Sequence, residues 1–265
     1  MTKEDEMLLA QIEDKIEQCK DRYMITYSDF LDTHQRKVVK DYLLKMKIPP
    51  VDAKVQTERH VFFGGYKDAE RTMVAFLPDY IQCEEGVPDE VMELLQVIKV
   101  KSPKGSRKLG HRDYLGSLLG LGIDRSVTGD ILVHEDGADI VVLADMADFI
   151  ELNYAKAGRT NLTARAYDIG QLDVGEINIE EKTDTVASLR LDNIVSSAFR
   201  ISRAKAADAI RGGIVSLNSV EATKVDAEVA EGDKIVLRGK GRMILAEIGG
   251  ESKKGRIYIK MNLYV

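Results

Sequence analysis

Residues 190–218 read RLDNIVSSAFRISRAKAADAIRGGIVSLN, and the rest of the chain is organised around them. Arg190-Leu191-Asp192 opens a short helix. Ser202 stands where an N-cap belongs, because its hydroxyl can accept a first-turn N–H that has no partner inside the helix. A second helix is predicted from Arg203 to Arg211, ended by Gly212-Gly213, with a strand after it. Ala206, Ala207 and Ile210 fall on one face of that helix at three-to-four spacing, which leaves Arg203, Lys205 and Arg211 to project toward solvent or a ligand. Small alanines let the two helices pack closely.

After Asn218 the pattern continues with Thr223-Lys224-Val225, a turn at Glu231-Gly232-Asp233 and a strand from Ile235 to Leu237. Arg238-Gly239-Lys240-Gly241-Arg242 then reads as a hairpin, glycines for the tight backbone and three cations at its tip. A second cationic turn, Lys253-Lys254-Gly255-Arg256, joins strand Met243 to Ile248 to strand Ile257 to Val265, and both turns are expected beside the helices. This order resembles the S4 RNA-binding domain: the R-L-D start, Ser202-Arg203, the alanine-rich helix, the glycine break, the V-x-x-N strand and Glu231-Gly232-Asp233-Lys234-Ile235. The chain departs from that pattern at Ile214, where the family carries a basic residue, and at Ser219, where it carries glycine. The expected RNA contacts are Arg190, Arg203, Lys205, Arg211, Lys224, Arg238, Lys240 and Arg242, which would neutralise phosphates. Asp192 is expected to orient an arginine or cap a helix, since a carboxylate repels anionic RNA.

The 265 residues are 44% hydrophobic, enough for two or three domains with ordinary cores. No apolar run reaches 18 residues and the start MTKEDEMLLAQIEDK is acidic, so a cytosolic chain without membrane insertion is expected. Cys19 and Cys83 lack C-x-x-C spacing and a nearby histidine pair, so they read as ordinary thiols; no metal or cofactor is expected. The net charge of −6 argues against a nucleic-acid protein until it is divided. Residues 190–265 hold 14 Lys and Arg against 9 Asp and Glu, a net of +5, leaving 24 against 35, or −11, for residues 1–189. The basic end is the S4-like end, which would make the main polyanion contact while the acidic body orients it or meets protein.

The fold class predicted is α+β in three parts: a small α+β domain (1–70), a ferredoxin-like, RRM-like domain with trailing strands (71–182), and the S4 domain (183–265). In the first, residues 4–20 form an amphipathic helix, and a second runs from His34 to Lys45, capped by Asp32 or Thr33 and stopped by Pro49-Pro50. Val61-Phe62-Phe63 is a strand, Gly64-Gly65 a turn, and Asp68 to Arg71 leads onward. Those glycines satisfy neither a P-loop nor a Rossmann fingerprint, so no nucleotide site is assigned.

In the second part, strand Thr72 to Leu77, helix Pro88 to Leu95, strand Val97 to Lys101, helix Arg112 to Leu119 and strands Asp130 to His134 and Asp139 to Ala144 alternate. RNP aromatics that stack bases are not evident, so RNA contact there would run through backbone and shape, with Lys104, Arg107, Lys108, His111, Arg112 and Arg125 as a secondary cationic cluster. His111-Arg112-Asp113 is not read as catalytic: adjacent residues do not face each other on a helix, and capping explains Asp113. From Ile169 to Asp184, Ile177 and Ile179 alternate with polar residues as in an edge strand, and Lys182 to Ser188 reads as a connector.

Taken whole, the chain resembles the YlmH family, on Phe63-Gly64-Gly65-Tyr66, Ala69-Glu70-Arg71, Gly110-His111-Arg112-Asp113-Tyr114-Leu115-Gly116, Gly129-Asp130-Ile131, the S4 block and Arg238-Gly239-Lys240-Gly241-Arg242. The resemblance implies a non-enzymatic RNA-binding protein of the large ribosomal subunit. It would hold tRNA and 23S rRNA in ribosome-associated quality control, with division proteins as further partners. The alternatives are an S4-linked RNA-modifying enzyme, such as a pseudouridine synthase, and a cell-division-site scaffold associating through residues 4–20. In pseudouridine synthases the S4 domain precedes a larger catalytic domain, whereas here R-L-D is used by the S4 helix itself. No glycine-rich methyltransferase loop and no synthetase nucleotide signature is present.

Overall fold

The structure is a computed structural model that describes residues 2–51, 59–67, 69–81, 86–175, 179–218 and 220–264. Asp68, Cys83, Ile177, Ser219 and Val265, to which expectations attach, lie outside the described residues. The chain divides into two compact units, Met1–Gly175 and Glu176–Val265.

The first unit begins with α1 (Lys3–Arg22), β1 (Thr26–Tyr27), α2 (Thr33–Met46), β2 (Arg59–Phe63) and β3 (Met73–Leu77). Both helices carry capping boxes: Thr2 and Asp5 exchange bonds at the start of α1, and Asp32 and Gln35 do so at α2. The strands form one antiparallel sheet in the order β1-β3-β2. Met73–Leu77, which the apolar pattern assigns to the middle domain, is the central strand of this N-terminal sheet.

Next come α3 (Asp89–Met92), β4 (Leu95–Lys101), α4 (His111–Gly120), β5 (Thr128–Val133), β6 (Gly137–Leu143), α5 (Ala144–Asn153), β7 (Lys156–Ala157), β8 (Thr160–Asn161) and β9 (Thr163–Asp168). Strand order β5-β6-β4-β9, all antiparallel with helices after β4 and β6, is the ferredoxin-like plan. The expected helix Pro88–Leu95 is only the single turn Asp89–Met92. Leu95 and Val97 are instead buried in β4, where pairing with both β6 and β9 outweighs local helix preference.

The two sheets stack. Ile12, Ile16, Val39 and Leu43 of α1 and α2 pack on Val74 and Phe76 of β3. Met73, Ala75 and Leu77 on its other face meet Leu95, Val97, Val141 and Leu143, with Phe30 and Phe63 between. Ile98, Val100, Ile140 and Val142 face the remaining way, against Tyr114 and Leu118 of α4 and Ala147 and Ile150 of α5. The unit is therefore four layers, helices, sheet, sheet, helices. Strands covered on both faces read as unbroken apolar runs, which is why MVAFL and the IVVL of β6 do not alternate. Each of these large side chains contributes roughly 1.5–3 kcal/mol on burial.

The second unit holds β10 (Ile179–Val186), α6 (Leu191–Ala198), α7 (Arg203–Arg211), β11 (Val215–Leu217), β12 (Val220–Glu221), β13 (Lys234–Leu237), β14 (Gly241–Glu251) and β15 (Ile257–Tyr264). They build one antiparallel sheet, β10-β15-β14-β13-β11-β12. Lys182 to Val186, read above as connector, is the end of β10, paired along its length with β15. Ile194, Val195, Ala206 and Ile210 of the helices pack on Val215, Ile235, Met243, Leu245, Ile259 and Met261 of the strands.

Candidate nucleic-acid interface

The interface is built on the α6–α7 turn. Ser202 caps α7 by accepting the Lys205 N–H at 3.2 Å, and Gly212 and Gly213 end it, the latter at φ +68°, where a Cβ is disfavoured. Ala206 and Ile210 are buried; Arg203, three and seven residues before them, shares their side of the helix at its first turn, and Lys205 points away from it. Asn218 adopts φ +50° and its side chain ties the strand to the later turn. Its Nδ2 donates to Asp233 Oδ1 (2.7 Å), and its Oδ1 accepts the Lys234 N–H (2.9 Å). The V-x-x-N and Glu231-Gly232-Asp233-Lys234-Ile235 strings are thus two halves of one hydrogen-bonded joint.

Asp192 organises the cations. Its carboxylate is only 3% exposed and accepts from Arg190 Nε at 3.2 Å and Arg203 Nε at 2.8 Å. Burial pushes that carboxyl up, but the hydrogen bonds from Arg190 and Arg203 outweigh it and hold Asp192 below its ordinary value; the same bond raises Arg190. The arginine side chains remain 42% and 55% exposed. Among the described residues Arg203 spends only Nε on Asp192, leaving both terminal nitrogens for another acceptor. Arg203 is therefore an anchored arginine rather than the free surface cation its helical position suggests, whereas Lys205 is exposed and forms no ion pair among the described residues.

The other tail cations divide. Lys224 is exposed on the loop whose Val225 carbonyl accepts the Asp192 N–H, close to the arginine pair. Arg211 sits in the last turn of α7 beside Asp208 (3.4 Å), where a cation also suits the helix dipole. Arg238 and Lys240 are exposed at the first hairpin tip, tied to Ile214 through the Arg238 N–H. Arg242 is half-buried, its guanidinium 4.1 Å from the centre of the Tyr264 ring. The two cationic turns lie at opposite ends of the 11-residue strand β14: the first is tied to Ile214 just after α7, and the second, through Arg256, bonds Thr185 beside Asp184, which accepts the Ser197 hydroxyl of α6.

In the first unit the expected cluster separates as well. Lys104 is exposed, Arg107 is held by Asp113 (2.6 Å), and Lys108 lies 3.6 Å from Glu135. Asp113 also accepts the Gly110 N–H, lowering its pKa through that bond first, and so caps α4 instead of facing His111. His111 and Arg112 are exposed at the start of α4. Arg125 turns inward, donating Nη1 to the carbonyls of Thr128 (3.1 Å) and Gly129 (2.8 Å) beside Arg71. Arg71, Asp130, Tyr66 and Glu70 join it there. No local pattern marks this group, because its members lie up to 64 residues apart.

The sheet surface that RRM domains use for RNA is covered in this chain, since Val97, Val141 and Leu143 are buried under β3. Among the described residues, no three His, Cys, Asp or Glu are grouped to hold a metal, and no helix is long and apolar enough to cross a membrane.

A capped helix pair on an antiparallel sheet, presenting arginines fixed by a buried aspartate, defines an RNA-binding protein of the S4 class. The S4 domain model matches residues 189–235, and a model described as the putative RNA-binding domain in YlmH matches residues 89–171. The ribosome-associated protein quality control protein P2 of Bacillus subtilis (strain 168) is 32% identical over 236 residues, 89% of this chain and 86% of its own length. The solved structure of cell division protein ylmH from Streptococcus pneumoniae matches 65% of this chain and 97% of its own, at 21% identity and a TM-score of 0.49. The chain belongs to the YlmH family of S4-domain RNA-binding proteins.

Proposed function

We propose that this protein binds the large ribosomal subunit, holding 23S rRNA and tRNA through its S4 domain during ribosome-associated quality control. The observation that carries the reading is the Asp192 clamp, which fixes Arg190 and Arg203 with unspent guanidinium N–H groups beside the exposed Lys205. Pre-oriented guanidinia suit phosphate oxygens because less side-chain freedom is lost on contact. Lys224 on one side, Arg211 at the end of the helix, and Arg238 and Lys240 at the hairpin tip extend the cationic track; Arg242 adds to it from its seat on Tyr264. The quality-control role follows the name of the Bacillus subtilis relative. A binding role is favoured over base modification by the state of Asp192, buried and saturated by two arginines, where a catalytic aspartate must reach its substrate.

The test is sucrose-gradient co-sedimentation with 30S, 50S and 70S particles at two salt concentrations, using the wild type and an Arg203→Gln plus Lys205→Glu variant. Glutamine is chosen at 203 because a glutamate there would meet the Asp192 carboxylate. Salt-sensitive association with 50S particles, lost in the variant, is expected. Equal association of both proteins would remove the S4 face from the contact.

A further inference from the structure

Two guanidinium groups in the first unit are held side by side by backbone carbonyls and not by a direct ion pair among the described residues. They lie at β5, an edge strand of the ferredoxin-like sheet. Arg71 donates Nε to the Thr128 carbonyl (3.0 Å) and Nη2 to those of Phe30 (2.9 Å) and Arg125 (3.0 Å), while Arg125 donates Nη1 to Thr128 and Gly129. Every acceptor is a neutral backbone carbonyl. Among the described residues neither arginine has a carboxylate within ion-pair distance; Asp32, Asp124 and Asp130 act on Arg71 only at longer range. Asp130 is committed elsewhere, accepting the Tyr66 hydroxyl (2.8 Å) and the N–H groups of Glu70 (2.7 Å) and Arg71 (3.1 Å). Burial, then the neighbouring Arg71, draws Arg125 down to about 10. Asp130 acts on both arginines at longer range and offsets part of this charge; an anion at their open N–H groups would offset the rest.

The donors for one are available. Nε and Nη2 of Arg125 and Nη1 of Arg71 have no acceptor among the described residues, and both side chains are partly open to solvent. His111, exposed at the start of α4, feels the charges of Arg125, Asp130 and Glu70; partial desolvation and then Arg125 lower its pKa, which makes it a reporter of charge at this edge. Arg112 is exposed beside it. With the sheet face covered by β3, these open N–H groups lie at an edge of the sheet that remains uncovered by another strand.

We propose that the β5 edge, through Arg71 and Arg125, binds a backbone phosphate of RNA, giving the acidic unit its own point of contact. The proposal rests on the RNA-binding reading of the chain and adds a second site to it. A bidentate guanidinium beside a second one matches the oxygens of a phosphodiester.

The experiment is NMR titration of the imidazoles in the full chain, which has four histidines. It is run with no addition, with a short single-stranded RNA, and with inorganic phosphate, in the wild type and in the Arg203→Gln plus Lys205→Glu background. RNA is expected to raise the His111 pKa in both, because a bound anion favours the imidazolium. Arg125→Gln is expected to abolish that shift and, in the S4-weakened background, to lower RNA affinity about tenfold and flatten the salt dependence by roughly 0.7 in log–log slope, one phosphate's share on a single strand. An unchanged His111 titration in wild type plus RNA overturns the proposal without any variant having to fold. A shift with inorganic phosphate but not with RNA also overturns it, assigning the edge to a free small anion. Failure of 50S co-sedimentation to depend on Arg203 and Lys205 would instead strike the S4 reading and leave the His111 result to stand by itself.

Discussion

At the scale of single residues, Asp192 is the pivot of the S4 helix pair. Asp192→Asn would leave two guanidinia side by side over a neutral amide. Because both arginines are half-exposed, solvent screens part of the loss, and a destabilisation on the order of 2 kcal/mol is expected, read as a lower urea midpoint. RNA affinity is expected to fall too, since Arg203 loses its fixed orientation. The pH dependence has a definite sign. The folded pKa of Asp192 lies below its ordinary 3.8, so its contribution is complete above that value and is lost as pH falls through the lowered one. A plot of stability against pH below about 4 should therefore be shallower in Asp192→Asn than in wild type. An identical acid limb in both proteins would show that the clamp does not contribute.

Among elements, the contact between β3 and the ferredoxin-like sheet governs the first unit. Val97 is fully buried on the sheet face that an RRM leaves open to RNA. Val97→Asp should cost about 3–5 kcal/mol by burying an unpaired carboxylate, seen as loss of the cooperative thermal transition of that unit; an unaffected transition would mean that the face is open. Gly129 reports on the same joint. A Cβ there would stand 2.8 Å from the Phe30 ring and 3.0 Å from Val141 Cβ, so Gly129→Ala should destabilise by roughly 1–3 kcal/mol in denaturant melts despite alanine's smaller backbone entropy cost.

For the whole molecule, the consequence is that the ferredoxin-like part is not an independent body. A fragment of residues 89–171 would expose Leu95, Val97, Val141 and Leu143 together, an apolar patch that isolated soluble domains rarely carry. It is expected to bind a hydrophobic dye and aggregate, whereas fragments 1–175 and 176–265 should each unfold cooperatively in circular-dichroism melts. A monomeric, dye-silent 89–171 fragment would refute the four-layer account. The charge division follows the same line: the excess of acid falls on the first unit, so a local exception such as the Arg71–Arg125 pair stands out against its surroundings.

The sequence by itself determined what rests on near neighbours. The S4 helix pair could be read because Ser202, Ala206, Ile210 and Gly212-Gly213 signal cap, face and stop within a dozen residues, and the first hairpin because glycines mark its tip. The alternating patterns pointed to a ferredoxin-like plan but filled it with Thr72–Leu77 and a helix at Pro88–Leu95, and left its fourth strand, Thr163–Asp168, unassigned. Only the tertiary structure decided which sheet β3 joins, what covers β4 and β6, and which cations have partners. An apolar run states that both faces are buried but not against what. Arg203 of α7 meets Asp192 of α6 and Arg125 meets Arg71 across 54 residues, and such pairings are fixed by packing between elements rather than by local pattern.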